Sequence, residues 1–217
     1  MGDMTTDTAE QQRRTQATGV VLAGGRSTRM GQDKAALLLG GEPLLRRAVR
    51  RLHCALAEVI VAGPAELAAL VPGVRIVADT QPGQGPLAGI GSALRATTTS
   101  WIFAVACDMP FVAPDLVRAM VDLALTSPDV DAVVLRAAHG TEQLHAVYGT
   151  SCLPALEAQL AAGDRALHHL FSTIRVREVP QAVAAHYDPD GLSVFNANAP
   201  EDWSRAQAIF QQLPTNF

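Results

Sequence analysis

Directly after a short apolar run (20–23), three glycines and three cations follow one another within eleven residues, Gly-Gly-Arg-Ser-Thr-Arg-Met-Gly-Gln-Asp-Lys. Glycine has no Cβ, so it lets a ligand approach the backbone N–H groups closely. Arg26, Arg29 and Lys34 add positive charge beside those donors. This combination predicts a loop that binds an anion, and a chain of phosphates is the anion that suits it best.

Two familiar phosphate-binding motifs do not fit this loop. A Walker A loop has lysine directly after its last glycine, whereas two residues separate Gly31 from Lys34. The dinucleotide motif G-x-G-x-x-G is also excluded, because Gly24 and Gly25 are adjacent. An ordinary strand-to-helix turn with solvated charges is the competing interpretation, but such a turn does not require three cations.

Two aspartates each follow an apolar segment that is typical of a buried strand. Asp108 comes after the run 101–106 and Cys107, where a carboxylate is a natural Mg²⁺ ligand whose other partners are phosphates. Asp79 follows the run 74–78, where it could accept hydrogen bonds from a ribose or a base. Each could instead cap the loop or helix that follows it.

These residues must be positioned by strands that alternate with helices through residue 136, which predicts parallel βαβ units. Ligands of such sheets bind beyond the carboxyl ends of the strands. Each candidate residue follows a predicted strand, so one crevice can hold them all. They are Gly24, Gly25, Asp79, the glycine-rich loop at 83–89 and Asp108.

The predicted strands are 20–23, 58–62, 74–78, 101–106, 131–136, 144–148, 174–179 and 192–195. The predicted helices are 44–52, 65–70, 90–96, 114–125, 153–160, 163–171 and one that begins at Pro200.

The helix predicted at 44–52 carries four arginines on the face opposite its apolar residues. Arg46, Arg47, Arg50 and Arg51 could bind phosphate, but we expect a solvated helix face, since that is the commoner use of such a pattern.

The bulk composition limits the class of protein. A chain of 217 residues with 48% hydrophobic content suits one domain, for which we expect the bounds 18–217, after a disordered polar tail at 1–17. A net charge of −4 argues against general binding of nucleic acid or membrane surfaces. The three cysteines fit no zinc or disulfide pattern, so we expect a cytoplasmic protein.

Several motifs, taken together, resemble the nucleotidyltransferases of the molybdenum cofactor guanylyltransferase type. They are the stretches 22–34 and 41–44, Gly-Pro-Leu-Ala-Gly at 85–89, Cys-Asp-Met-Pro at 107–110 and Phe-Asn-Ala-Asn-Ala-Pro-Glu-Asp at 195–202. They occur in the order of the family, and the resemblance covers roughly residues 18 to 210.

The resemblance implies a Rossmann-like, three-layer α/β/α nucleotidyltransferase fold with a mostly parallel, mixed sheet. It also implies an enzyme that transfers GMP from GTP to the terminal phosphate of molybdopterin or its molybdenum form. The products would be the guanine dinucleotide cofactor and pyrophosphate, and Mg²⁺ would be the cofactor. The expected partners are GTP, the pterin substrate and, transiently, other proteins of cofactor biosynthesis.

Residue roles are also carried over from the motifs of this family. The catalytic residues would be Arg29, Lys34 and Asp108, of which Asp108 would hold the metal. The residues implied to bind the nucleotide are Leu22, Ala23, Gly24, Gly25, Lys34, Asp79, Pro86, Leu87, Gly89 and Asp108. Asn196 and Asn198 would face the pterin substrate.

The chain departs from the family pattern at 62–64, at 142–144 and at Ala199, where threonine is usual. The first difference concerns contacts with the base or ribose, and the last two concern the acceptor side. A related transferase that uses CTP or another phosphorylated acceptor is an alternative. Cytidylyl relatives tend to have Leu-Ala-Ala-Gly in the first motif, so Gly24 favours guanine. A non-catalytic nucleotide-binding accessory protein is a further alternative, against which Lys34 and Asp108 are both present.

Overall fold

The computed structural model describes residues 14–24, 34–79, 83–137 and 140–214. The strands are β1 (Ala17–Leu22), β2 (Leu38–Leu39), β3 (Glu42–Pro43), β4 (Glu58–Ala62), β5 (Arg75–Val77), β6 (Trp101–Ala106), β7 (Ala132–Ala137), β8 (Gly140–Gly149) and β9 (Val176–Val179). The helices are α1 (Leu44–His53), α2 (Pro86–Ala96), α3 (Pro114–Leu125), α4 (Leu153–Ala161), α5 (Leu167–Leu170), α6 (Gln181–Ala184) and α7 (Pro200–Gln212). Short 3-10 helices lie at Lys34–Ala36, Ala65–Ala69, Thr150–Cys152 and Leu192–Val194.

Within the described part of the chain, seven strands form one sheet in the order β5-β4-β1-β6-β8-β7-β9. The pairs β4–β5, β1–β4, β1–β6 and β7–β9 are parallel, whereas β8 runs antiparallel to both β6 and β7. β1 is buried along its whole length, as expected for a parallel strand covered on both faces. The expected mostly parallel, mixed sheet is therefore confirmed.

Helices cover both faces of this sheet. Successive side chains of each strand point to opposite sides, and both sets are apolar. Val21 and Phe103 pack on one side with apolar residues of α1 and α3. Val20 and Ile102 pack on the other side with residues of α2 and α4. These three layers confirm the expected α/β/α architecture.

The C-terminal helix α7 covers a smaller apolar cluster beside the β2–β3 hairpin. Ala206 is fully buried there, and Trp203, Ile209 and Phe210 pack around it, as the spacing of the sequence predicts. Phe210 lies so close to the hairpin that a Cβ added at Gly40 would come within 2.1 Å of its ring. Gly40 also has a φ of +61°, so both sterics and backbone conformation require glycine.

The prediction of a solvated arginine face on α1 is wrong for two of its four residues. Arg47 and Arg51 are only 2% and 8% exposed. Arg51 donates from Nε to the carbonyl of Val112 at 2.8 Å, and the Arg47 guanidinium lies 4.5 Å from the ring centroid of Phe210. Both partners come from segments distant in sequence, which cover a face that the helical pattern alone leaves open to solvent.

Three further predictions of local structure need correction. The segment 192–195 is a 3-10 helix rather than a strand, since Gly191 turns the chain with a φ of +64° and Asp188 accepts the N–H groups of Leu192 and Ser193. Within 163–171 the helix covers only Leu167–Leu170. Helix α2 begins at Pro86 rather than at residue 90, so most of the expected 85–89 loop is its first turn.

Candidate functional site

Four neighbouring strands end at the same edge of the sheet, where backbone pairing continues just beyond each strand. The N–H of Ala23 donates to Ala62 at 2.9 Å, and the N–H of Gly63 donates to Val77 at 3.0 Å. The N–H of Cys107 donates to Leu22 at 3.1 Å. The segments that follow β1, β4, β5 and β6 therefore leave the sheet side by side, as the sequence predicts for one crevice.

Lys34 and Asp108 meet at this edge. The Lys34 Nζ atom lies 2.9 Å from Asp108 Oδ2, and the two side chains are only 17% and 14% exposed. Asp108 follows β6, and Lys34 is presented by the 3-10 helix Lys34–Ala36, whose Ala35 is buried in the core. Because both groups are largely shielded from water, their attraction is screened less than that of a surface pair.

Lys34 is also the only lysine in the chain, since the other sixteen basic residues are all arginine. Lysine carries a compact point charge, whereas arginine carries a planar fork that suits bidentate partners. The rarity of lysine in this sequence is a signal that the motif-based reasoning did not use. Position 34 is therefore the one place in the sequence that offers a compact ammonium.

The C-terminal segment closes over this pair through two adjacent residues. The Lys34 Nζ atom donates to Asn198 Oδ1 at 2.6 Å, and the N–H of Ala197 donates to the Asp108 carbonyl at 3.0 Å. Asn198 therefore contacts the residue expected to bind phosphate, a contact that the sequence did not suggest. Its expected role against the pterin stays a prediction.

Asn196 lies in the same segment but has a local partner. Its Nδ2 atom donates to the carbonyl of Val194 at 3.2 Å, and the side chain is half-buried. The preceding Phe195 packs against Phe111, with ring centroids 5.6 Å apart. The predicted contact of Asn196 with a pterin stays a prediction.

The start of α2 forms another wall of the site. Gly85 precedes it with a φ of +77°, Pro86 occupies its first turn, and no side chain caps its N-terminus in the described residues. The first N–H groups of a helix have no partner within the helix and carry partial positive charge, so they favour an anionic ligand. Gly89 lies beside β1, since an added Cβ would come within 3.2 Å of Leu22 Cδ2.

The remaining residues of the predicted nucleotide site differ in what they can offer. The side chains of Leu22 and Leu87 are buried in the core, so only their backbones could touch a ligand. Asp79 is half-buried, two residues beyond the end of β5. Gly25 and Arg29 lie outside the described residues, so their predicted roles stay predictions.

The described residues leave space beside Gly24. Among them, no heavy atom beyond its chain neighbours lies within 4 Å of the position that a Cβ would take. Neither packing against the described residues nor a positive φ therefore demands glycine here. The open space lies directly after β1, where the predicted nucleotide would be.

A fully buried histidine lies on the strand next to β6. His145 pairs with Val105, and its ring meets Phe103 edge to face, with centroids 5.0 Å apart. Burial lowers the pKa of its imidazole to about 4, so the ring is neutral near pH 7. This environment suits a structural role rather than a catalytic one.

The described residues contain no group of three or more His, Cys, Asp or Glu side chains that could hold a metal ion. A Mg²⁺ ion does not require such a group, because it commonly takes one or two carboxylates together with the phosphates of its substrate. The single carboxylate of Asp108, beside the Lys34 ammonium, fits this kind of binding.

Ligands of open α/β sheets bind beyond the carboxyl ends of the strands, and the N-terminus of a helix there favours a phosphate group. Residues 19–181 match the model of the MobA-like NTP transferase domain family. The chain belongs to this family, and it is therefore a nucleotidyltransferase.

Named relatives agree with this assignment over nearly the whole chain. A probable molybdenum cofactor guanylyltransferase of Pelotomaculum thermopropionicum is 38% identical over 200 residues, which cover 92% of this chain and 96% of the relative. One from Opitutus terrae is also 38% identical, over 86% of this chain and 93% of the relative. The crystal structure of molybdopterin-guanine dinucleotide biosynthesis protein A from Archaeoglobus fulgidus superposes with a TM-score of 0.82 at 26% identity, covering 90% of this chain and all of that one.

The α-helices in the described part of the chain are too short or too polar to cross a membrane.

Proposed function

We propose that this enzyme transfers GMP from GTP to the terminal phosphate of molybdopterin or its molybdenum form. The products are the guanine dinucleotide cofactor and pyrophosphate. The observation that carries the proposal is the Lys34–Asp108 pair at the carboxyl edge of the sheet, whose Nζ and Oδ2 atoms lie 2.9 Å apart. The names of the relatives support the identity of base and acceptor.

The triphosphate binds between the segment after β1 and the start of α2. The Lys34 ammonium supplies positive charge, and the N-terminal N–H groups of α2 supply hydrogen-bond donors. Arg29 belongs to the same glycine-rich loop and adds a second cation. Gly24 and Gly89 let the nucleotide approach the backbone closely, while Asp79 accepts hydrogen bonds from the ribose or base.

In this proposal Asp108 would hold Mg²⁺ through its carboxylate, because this ion commonly binds one or two carboxylates together with the phosphates of its substrate. When bound, the ion neutralises negative charge on the phosphates of the nucleotide.

The reaction is an in-line displacement at the α-phosphorus of GTP. An oxygen of the acceptor phosphate forms a bond to this phosphorus, while the bond to the bridging oxygen of the β-phosphate breaks. Pyrophosphate leaves with the electron pair of that bond, and Lys34 and Arg29 neutralise the charge that gathers on it. The acceptor phosphate is already anionic, so the step requires no strong general base.

The acceptor approaches from the side of the C-terminal segment that carries Asn196. This segment is well supported, because Ser193 is fully buried and its Oγ accepts the N–H of Ala113 at 2.6 Å. We place the reaction in the cytoplasm, where other proteins of cofactor biosynthesis would deliver the pterin and receive the product.

The test is formation of the guanine dinucleotide by the purified chain, supplied with molybdopterin or its molybdenum form and Mg²⁺. Parallel reactions contain GTP or CTP at equal concentration, and the product is separated and identified by mass. We expect the guanine product and a clear preference for GTP. A preference for CTP would overturn the guanylyl assignment, and nucleotide binding without turnover would indicate an accessory protein.

A further inference from the structure

From the position of Lys34, we infer that Asn198 is a positioning residue, which holds the Lys34 ammonium at the phosphate site when Asp108 takes up its cation. The inference rests on the proposed function and adds to it, because it assigns Asn198 to the donor nucleotide rather than to the acceptor.

The first support is the geometry of the ammonium. Lys34 Nζ lies 2.6 Å from Asn198 Oδ1 and 2.9 Å from Asp108 Oδ2. A lysine can only donate, so the amide oxygen of Asn198 is the atom that must face it. Within the described residues, these two contacts use two of the three donors of the ammonium, and a phosphate oxygen can take the third.

The second support is that the two partners of Lys34 differ in charge. A cation bound at Asp108 would compete with Lys34 for the carboxylate, whereas the neutral amide of Asn198 has little attraction for it. Asn198 can therefore keep the ammonium in place after Asp108 has turned to the metal. Because the amide is neutral, it leaves the full charge of Lys34 available to the triphosphate.

The third support is the way the chain holds Asn198. Asp202 accepts the N–H groups of Asn198 and Ala199 on Oδ2, at 3.1 and 2.9 Å. On the other side, the fully buried Ala197 donates its N–H to the Asp108 carbonyl at 3.0 Å. The backbone of Asn198 is thus fixed relative to Asp108, and its amide reaches Lys34 from a rigid support.

The Asn198 side chain itself is exposed, and its backbone contacts do not depend on the amide. Removing the amide should therefore leave the fold intact, so that the effects of Asn198→Ala report on the loss of the amide alone. A suitable control is Gln207→Ala, which removes an exposed amide from the outer face of α7.

The test uses the single lysine of the chain as a probe. Protein labelled with ¹³C at lysine Cε gives one side-chain signal, that of Lys34, in the full-length chain. We expect Asn198→Ala to shift this signal, both in the free protein and with GTP and Mg²⁺ bound, and Gln207→Ala to leave it unchanged. We also expect Asn198→Ala to weaken GTP binding about fivefold in the presence of Mg²⁺ and without acceptor.

A double-variant cycle separates action through Lys34 from a direct contact. In a Lys34→Met background, Asn198→Ala should change the Kd for GTP by less than about twofold, because the partner of the amide is gone. Asn198→Asp should weaken GTP binding more than Asn198→Ala, since it places a negative charge beside the phosphates.

The possible outcomes are distinct. Unchanged GTP binding in Asn198→Ala, with a raised KM for the pterin, would overturn this inference and leave the proposed function standing. An equal loss in both backgrounds would show that Asn198 does not act through Lys34. Failure of the wild-type chain to bind GTP at all would overturn the proposed function, and this inference with it.

Discussion

The Lys34 ammonium lies 2.9 Å from the Asp108 carboxylate, although 74 positions separate the two residues in the chain. One is delivered by the segment after β1 and the other by the end of β6, which are adjacent strands of the sheet. The pairing of these two strands therefore creates the charged centre of the site.

Removing either charge of this centre should impair catalysis. We expect Lys34→Ala and Asp108→Ala each to lower turnover at least about tenfold, or roughly 1.4 kcal/mol of barrier, because the charge on the leaving pyrophosphate loses a stabilising partner. Steady-state rates of dinucleotide formation measure the effect. Arg95→Lys, at the far end of α2, is the matched control, and near-wild-type rates in both alanine variants would refute the assigned roles.

Gly24→Ala should change the choice of nucleotide rather than stability. The added methyl meets no described atom within 4 Å and no positive φ, so the melting temperature should stay within about 2 °C of wild type. If guanine occupies this space, the added methyl group should lower kcat/KM for GTP relative to CTP by about tenfold or more, because one such group in a pocket changes the free energy of binding by about 1–3 kcal/mol. Equal effects on both nucleotides would place the base elsewhere.

The two buried arginines of α1 should respond differently to replacement by methionine. Arg47 Nε lies 3.5 Å from Glu42 without hydrogen-bond geometry, and its Nε and Nη1 have no hydrogen-bond partner in the described structure. Glu42 keeps two hydrogen bonds from Arg50, so Arg47→Met leaves no unpaired carboxylate and should change the free energy of unfolding by less than about 1 kcal/mol, or raise it. Arg51→Met should cost about 1–3 kcal/mol, because the Val112 carbonyl loses its buried donor.

Urea unfolding monitored by circular dichroism measures both variants. A larger loss for Arg47→Met than for Arg51→Met would contradict the prediction and show that the contact of Arg47 with Phe210 matters more than its unpaired donors.

The ionisation of Asp131 should make the free energy of unfolding depend on pH in the acidic range. Arg175 donates to its carboxylate from the backbone N–H and from two guanidinium atoms, and Ser151 adds a further bond, which together hold the pKa of Asp131 well below its usual 3.8. A depressed pKa of a carboxyl contributes stability that is complete above about pH 4 and is lost as the pH falls through the folded-state pKa.

Asp131→Asn should accordingly lower the free energy of unfolding at pH 7 by about 2 kcal/mol, since it removes charge-assisted bonds to Arg175. The difference from wild type should shrink as the pH falls below 4. Unfolding measured from pH 7 to pH 3 tests this, and a difference that stays constant would count against the role of the charge.

His145 should act in a different pH window. Its pKa falls from 6.5 in the unfolded chain to about 4 in the fold, so the unfolded state binds more protons between these values. Stability should therefore decrease as the pH is lowered from 6.5 towards 4, by about 3 kcal/mol at the lower limit. His145→Phe removes the titrating group and should flatten this part of the profile. A profile of the same steepness in the variant would show that other groups cause the acid sensitivity.

The class of fold and the residues of the charged centre could be predicted from the sequence alone. Apolar runs such as Trp101–Ala106 identify buried strands because no polar surface interrupts them, and α/β alternation requires their carboxyl ends to share one edge. Glycines, Lys34 and Asp108 directly after such runs could therefore be assigned to one crevice. This assignment depends only on the local pattern of residues and on the order of the elements along the chain, both of which can be read from the sequence.

Which side chains meet across that crevice could not be predicted in this way, because it depends on how distant segments pack. Asn198 contacts Lys34 although 164 positions separate them in the chain. A local motif does not reveal which distant residue its side chains will contact. Arg47 and Arg51 are buried because α7 and the segment before α3 pack against α1. The 3.6-residue periodicity of α1 does not predict either of these contacts. Pattern determines what each element can bury, whereas packing determines which partner it meets there.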